Sequence, residues 1–138
     1  MDTLLKEINS LRCGFIGTPL TDADINLFQK ELSESGFNTL PKIVITFLKH
    51  HNGFLLENRC FWGINTQEHY INDILGENAI AQNPKPNDLL LLGSTETTYI
   101  GWFKSTNNYS MIDKNDFMVL HNFNNFQNAV RYILKIDD

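Results

Sequence analysis

The stretch Leu40-Pro-Lys-Ile-Val-Ile-Thr-Phe-Leu-Lys-His-His-Asn-Gly53 constrains the fold more than any other part of the sequence. It reads as a helix over 41–51 with both ends marked. Pro41 suits a first helical turn, where its missing N–H would have had no partner anyway. Ile43, Val44, Phe47 and Leu48 recur at a spacing that puts them on one face of a 3.6-residue period. Lys42, Thr46, Lys49 and His50 fall largely opposite. Asn52-Gly53 closes the helix, because glycine accepts the left-handed backbone that stops one. A helix so marked needs an apolar surface to pack on, and the rest of the chain must provide it.

Leu4, Leu5, Ile8 and Leu11 predict a first amphipathic helix over 2–12. Gly14, Gly17 and Pro19 then break the chain. Thr21 and Asp24 form a shortened capping box for a second helix, with Leu20 and Ile25 placed as a hydrophobic staple. Ile25, Phe28 and Leu32 give its buried stripe, and Gly36 ends it. After Gly53 the period changes from helical to extended. Residues 54–57 and 60–64 predict two strands joined by a tight turn at Asn58-Arg59. Residues 66–82 are weakly patterned, with a short helix expected around Tyr70–Leu75 and Ile71, Ile74 and Leu75 facing inward. The Asn83-Pro-Lys-Pro-Asn87 segment is irregular, since proline restricts itself and its predecessor.

Asp88-Leu-Leu-Leu-Leu-Gly93 is a continuous apolar run, the pattern of a strand buried on both faces. Tyr99–Phe103 and Tyr109–Asp113 predict a hairpin across 104–108, and 116–121 a further strand. Phe126, Ala129, Val130, Ile133 and Leu134 then mark a last helix, capped by Asn122 or Asn124. The expected architecture is α+β: one domain over 1–138, a mainly antiparallel sheet packed against N-terminal, central and C-terminal helices.

Charge and composition exclude several roles. With 16 acidic against 11 basic residues the net charge is −5, which disfavours a nucleic-acid groove built on Lys and Arg. The start carries charges at once and has no signal-peptide run. No segment approaches the ~18 consecutive apolar residues of a membrane span. Cys13 and Cys60 share no metal or redox spacing, so two reduced thiols in a cytoplasmic protein are expected.

Motifs of chemistry are scarce. His50 and His51 would point about 100° apart on a helix and do not suit one metal. His69 and His121 have no ligand at a known spacing. Ser94-Thr95-Glu96 follows the buried strand but lacks a nucleophile elbow or a marked base. No glycine-rich phosphate loop is present. No catalytic, metal or cofactor-binding residue is therefore assigned, and no enzyme is expected. What remains is charge. The segment Glu57–Glu96 holds Glu57, Glu68, Asp73, Glu77, Asp88 and Glu96 against Arg59 and Lys85, which is −4 of the net −5. It is either a solvated rim or a face that steers a basic partner.

The order Leu40-Pro41, Phe47-Leu48, Asn52-Gly53, two short strands, Leu91-Leu92-Gly93, paired strands and a helix opening near Asn122-Phe123 resembles the SUKH superfamily. These domains are similar to the yeast Smi/Knr regulator, and the bacterial YrhA-like branch is the nearest likeness. The resemblance spans about 20–135. A second glycine often found after Asn-Gly is Phe54 here. The resemblance implies a non-enzymatic α+β domain, and many bacterial members are immunity proteins that occlude a polymorphic toxin, often a nuclease. The partner would then be a basic toxin domain, with neither nucleic acid nor membrane bound. Its expected contact residues are Glu57, Arg59, Trp62, Glu68, Tyr70, Asp73, Glu96 and Tyr99, aromatic anchors in a charged surround. Two rivals stand beside this reading. One is a regulatory or scaffolding interaction domain without a toxin. The other is an enzyme or small-ligand binder using the Ser94–Glu96 loop in a pocket with His121 or His69.

Overall fold

The computed structural model describes residues 1–9, 15–64, 73–81 and 86–134. Among these residues five helices and seven strands follow one another as α1 (Asp2–Asn9), β1 (Phe15–Ile16), α2 (Asp22–Glu34), α3 (Lys42–His50), β2 (Phe54–Leu56), β3 (Arg59–Phe61), α4 (Ile74–Ile80), β4 (Leu89–Ser94), β5 (Thr98–Phe103), β6 (Asn108–Asp113), β7 (Val119–Phe123) and α5 (Phe126–Leu134). The strands form one antiparallel sheet in the order of the sequence, from β1 to β7. Each strand therefore pairs only with its neighbours along the chain.

Local chemistry sets the helices. Thr21 Oγ1 accepts from Asp24 N at 3.2 Å while Thr21 N donates to the Asp24 carboxylate at 3.3 Å, so the predicted capping box is formed. Ile25, Phe28 and Leu32 are buried, and Gly36 leaves the helix at φ +85°. Leu4, Leu5 and Ile8 of α1 are buried, while Leu11 lies outside the described residues. In α3 the predicted face is realised by Val44, Phe47 and Leu48, with Ile43 half-buried. Both of its ends differ from expectation. Pro41 is the N-cap, in extended backbone, and offers no side-chain bond. At the other end His51 turns extended before any glycine is reached, and Asn52 N donates to Thr18 O at 3.0 Å. Tertiary pairing stops this helix where a glycine cap was expected. Gly53 adopts its positive φ two residues later, at the entry to β2.

His51 is buried beside the Phe47 ring, and its Nε2 has no hydrogen-bond partner among the described residues. Burial first, then the neighbouring His50, hold its pKa below the usual 6.5. The unfolded chain thus takes up this proton at a higher pH than the folded one. The stability associated with neutral His51 is complete above the unfolded value and is lost as pH falls below it. Melting curves at about pH 7.5 and about pH 5.5 should show a smaller acid loss in His51→Gln than in the parent. Equal losses would place the acid sensitivity elsewhere.

The sheet differs from expectation mainly at its edges. β1 was not anticipated. It pairs Phe15 with Leu55 and Ile16 with Phe54, and Gly17 N donates to Gly53 O at 2.9 Å. A Cβ on Gly17 would overlap the Asn52 carbonyl, so only glycine lets the two segments approach. The β2–β3 turn falls on Glu57-Asn58, one residue early, with Glu57 at φ +55°. α4 begins at Ile74 rather than near Tyr70, because the Asp73 carboxylate caps it through Gly76 N at 3.3 Å. The expected inward residue Ile71 lies outside the described residues. β4 is buried along Leu89–Leu92 as predicted. β7 begins at Val119 because 113–118 make a turn, with Phe117 at φ +59°. Between Met111↔His121 and Ile112↔Val119 the register slips by one residue, leaving Leu120 as a bulge. Asn122 lies within β7, and the cap of α5 is Asn125, whose side chain accepts from Asn128 N at 2.8 Å.

The core is aromatic at its centre. Phe47 of α3, Phe54 and Phe61 of the β2–β3 hairpin and Phe126 of α5 meet with ring centroids 5.5–6.4 Å apart. Tyr109 of β6 joins at 5.4 Å from Phe126. Arg131 of α5 reaches both oxygens of the Glu7 carboxylate on α1, at 3.0 and 3.1 Å. Two buried asparagines complete the backbone ladder. Asn52 accepts from Ile64 N at 2.7 Å and donates to Ile64 O at 3.0 Å. Asn78 of α4 accepts from Leu91 N and donates to Leu91 O, both at 2.8 Å, where the short β3 has run out.

Candidate functional site

The β2–β3 turn and the β4–β5 turn stand side by side, because Cys60 pairs with Ser94 and Ser94 with Tyr99. Between them is a shallow concavity of about 240 Å³ lined by Glu57, Asn58, Arg59, Thr95 and Glu96. Glu57 and Glu96 are exposed on its rim, while Arg59 is half-buried between the turns. One guanidinium nitrogen of Arg59, Nη1, is buried and has no hydrogen-bond partner among the described residues. The turn itself is rigid: Thr95 and Thr98 hydroxyls lie 2.6 Å apart, and Thr98 N donates to Thr95 Oγ1 at 3.1 Å. Two exposed carboxylates and an arginine thus share one concave end of the sheet.

Beside this end, Tyr99 is half-buried and faces the same way as Cys60 and Ser94 in register. Phe117 stacks on it at 5.7 Å, and Lys114 Nζ sits 5.3 Å over its ring. Burial and then the Glu77 carboxylate raise its phenol pKa above the usual 10. Lys114 and Phe117 were not among the expected contacts. They reach Tyr99 only through the β5–β6–β7 register, which the sequence does not display.

The expected contact residues divide accordingly. Glu57, Arg59 and Glu96 come together, and Tyr99 lies on the adjoining strand. Trp62 does not belong to the surface: it is 2% exposed, with its ring edge against Tyr99 at 6.0 Å, and it serves the core rather than a partner. Asp73 is taken up in capping α4. Glu68 and Tyr70 lie outside the described residues.

The rival pocket does not form with His121. Among the described residues, the concavity containing Glu96 holds arginine and no histidine. His121 is exposed on β7, three strands from Ser94, or roughly 14 Å at the usual strand spacing. His69 lies outside the described residues. Cys60 is a buried thiol, 3.5 Å from Ser94 Oγ. Among the described residues no group of three or more His, Cys, Asp or Glu could hold a metal ion, and no helix is long and apolar enough to cross a membrane. No protein-family model and no curated protein matches the sequence.

Proposed function

We propose that this chain is a protein-binding domain of the SUKH type, acting as an immunity protein that occludes a basic toxin domain. The observation that carries this reading is the concave end formed by Glu57, Arg59 and Glu96. Exposed carboxylates raise the rate at which a basic surface is captured. The unpartnered Arg59 nitrogen adds a directional element, because an acceptor supplied by the partner would satisfy a donor left open in the free protein. The order of elements, from α3 with Asn52-Gly53 after it through hairpins to a closing helix, supports the same family likeness. Inhibition of this kind is stoichiometric, through an interface on the order of 1,600 Å².

The test has two steps. Affinity capture from the source cells should recover a basic protein in a one-to-one complex. Glu57→Lys combined with Glu96→Lys should then weaken that complex roughly tenfold, mainly through slower association, and flatten its salt dependence. A folded double variant that binds as before would reject this face. Recovery of housekeeping partners alone would reject the toxin-binding reading.

A further inference from the structure

At the opposite end of the sheet lies a larger concavity, of about 390 Å³, between the starts of α3 and α5 and the β5–β6 turn. The six residues of β5 separate the two ends by roughly 20 Å. Two helices open on this cavity. Pro41 caps α3 without a side-chain bond, so the N–H groups of Lys42 and Ile43 have no acceptor within their own helix. α5 presents Phe126 and Gln127 in the same way, since the Asn125 side chain accepts from the later Asn128 N. All four of these first-turn residues line the cavity. The positive ends of two helix dipoles therefore converge there. Lys42 adds a full charge, and no lining residue is acidic in a chain with 16 acidic residues.

A further group points to a ligand independently of the helix ends. Tyr109 is 5% exposed and lines the cavity, and among the described residues its hydroxyl has no hydrogen-bond partner. Burial pushes the phenol up to about 12, so it keeps its proton and remains a donor at any ordinary pH. The donors so gathered are first-turn amides, an ammonium and a phenol, with side-chain amides of Asn107 and Asn124 at the margin.

We infer that this cavity binds a small anion bearing a carboxylate or phosphate group, held by the first turns of α3 and α5, Lys42 and the Tyr109 hydroxyl. Helix N-termini are suited to such groups by their free N–H donors. The volume exceeds that of a bare oxyanion and falls in the range of metabolite pockets.

The test is an amide NMR titration of the whole chain with inorganic phosphate and, separately, with citrate, sodium chloride holding the ionic strength constant. At least one probe should give saturating shifts at Lys42, Ile43, Phe126 and Gln127, with a dissociation constant on the order of 1 mM. Whichever probe binds more tightly assigns the group as phosphate or carboxylate. Lys42→Gln and Tyr109→Phe should each weaken binding on the order of tenfold, as expected for loss of a hydrogen bond to an ion. Lys42 is exposed, so its variant carries the test even if Tyr109→Phe perturbs folding. Non-saturating shifts with both probes, or saturable binding that Lys42→Gln leaves intact, would overturn the assignment.

Discussion

Replacing Asn52 with alanine should lower the free energy of unfolding by about 3–5 kcal/mol, since it strands the N–H and the C=O of Ile64 in a buried site. Asn52 is 1% exposed, and its amide makes both of these bonds. The glycines around it sharpen the effect. Gly17 and Gly63 both lie so close that a Cβ on either would overlap an Asn52 oxygen, so the neighbourhood is shaped to this side chain. A loss of this size is a large part of the roughly 5–15 kcal/mol that holds a domain folded. Urea unfolding followed by tryptophan fluorescence measures it. A midpoint shift worth less than about 1 kcal/mol would mean that the Ile64 groups find other partners. Asn52→Asp should also destabilise, because a carboxylate accepts from Ile64 N but has no donor for Ile64 O.

The second large effect is expected at Phe47. Phe47→Ala should remove about 3–5 kcal/mol, the range for deleting a fully buried aromatic ring. The ring is 0% exposed and touches the aromatic rings of β2, β3 and α5, so three separate elements lose a common surface. Phe47→Leu retains apolar volume and should recover more than half of that loss. If alanine and leucine prove equally damaging, the edge-on ring geometry rather than buried volume is what the site requires.

Helices were legible where the signal is local. Thr21, Asp24 and Gly36 state the ends of α2 within the helix's own sequence, and the stripe of α5 follows from its spacing. Boundaries fail where a distant segment decides. The end of α3 is set by Thr18, the start of α4 by Asp73 with its bridge to Gly63, and β1 by the close packing of Gly17 against Asn52. The buried amides of Asn52 and Asn78 look like ordinary polar residues in a string of letters. Only the missing ladder partners of Ile64 and Leu91 show what they do.

The candidate face was legible in part for the same reason. Glu57 and Glu96 are 39 positions apart, and their acidic character is visible in the sequence, but the pairing of Cys60 with Ser94 is what places them on one concavity. Trp62 shows the reverse. An aromatic residue beside a strand can serve a surface or a core; alternation from Phe61 puts this one on the opposite face of the sheet, where it is buried against Tyr99.

The aromatic centre also gives the fold a direction in time. Phe126 stands between Phe47, Phe61 and Tyr109, yet α5 follows all seven strands in the chain. During synthesis the hairpins β4–β5 and β5–β6 can close as soon as they emerge, because their partners are adjacent. Until α5 is made, Phe47, Phe61 and Tyr109 lack the ring they share, and Glu7 lacks its arginine. The appearance of α5, rather than that of any strand, is thus the moment at which this domain can close its interior.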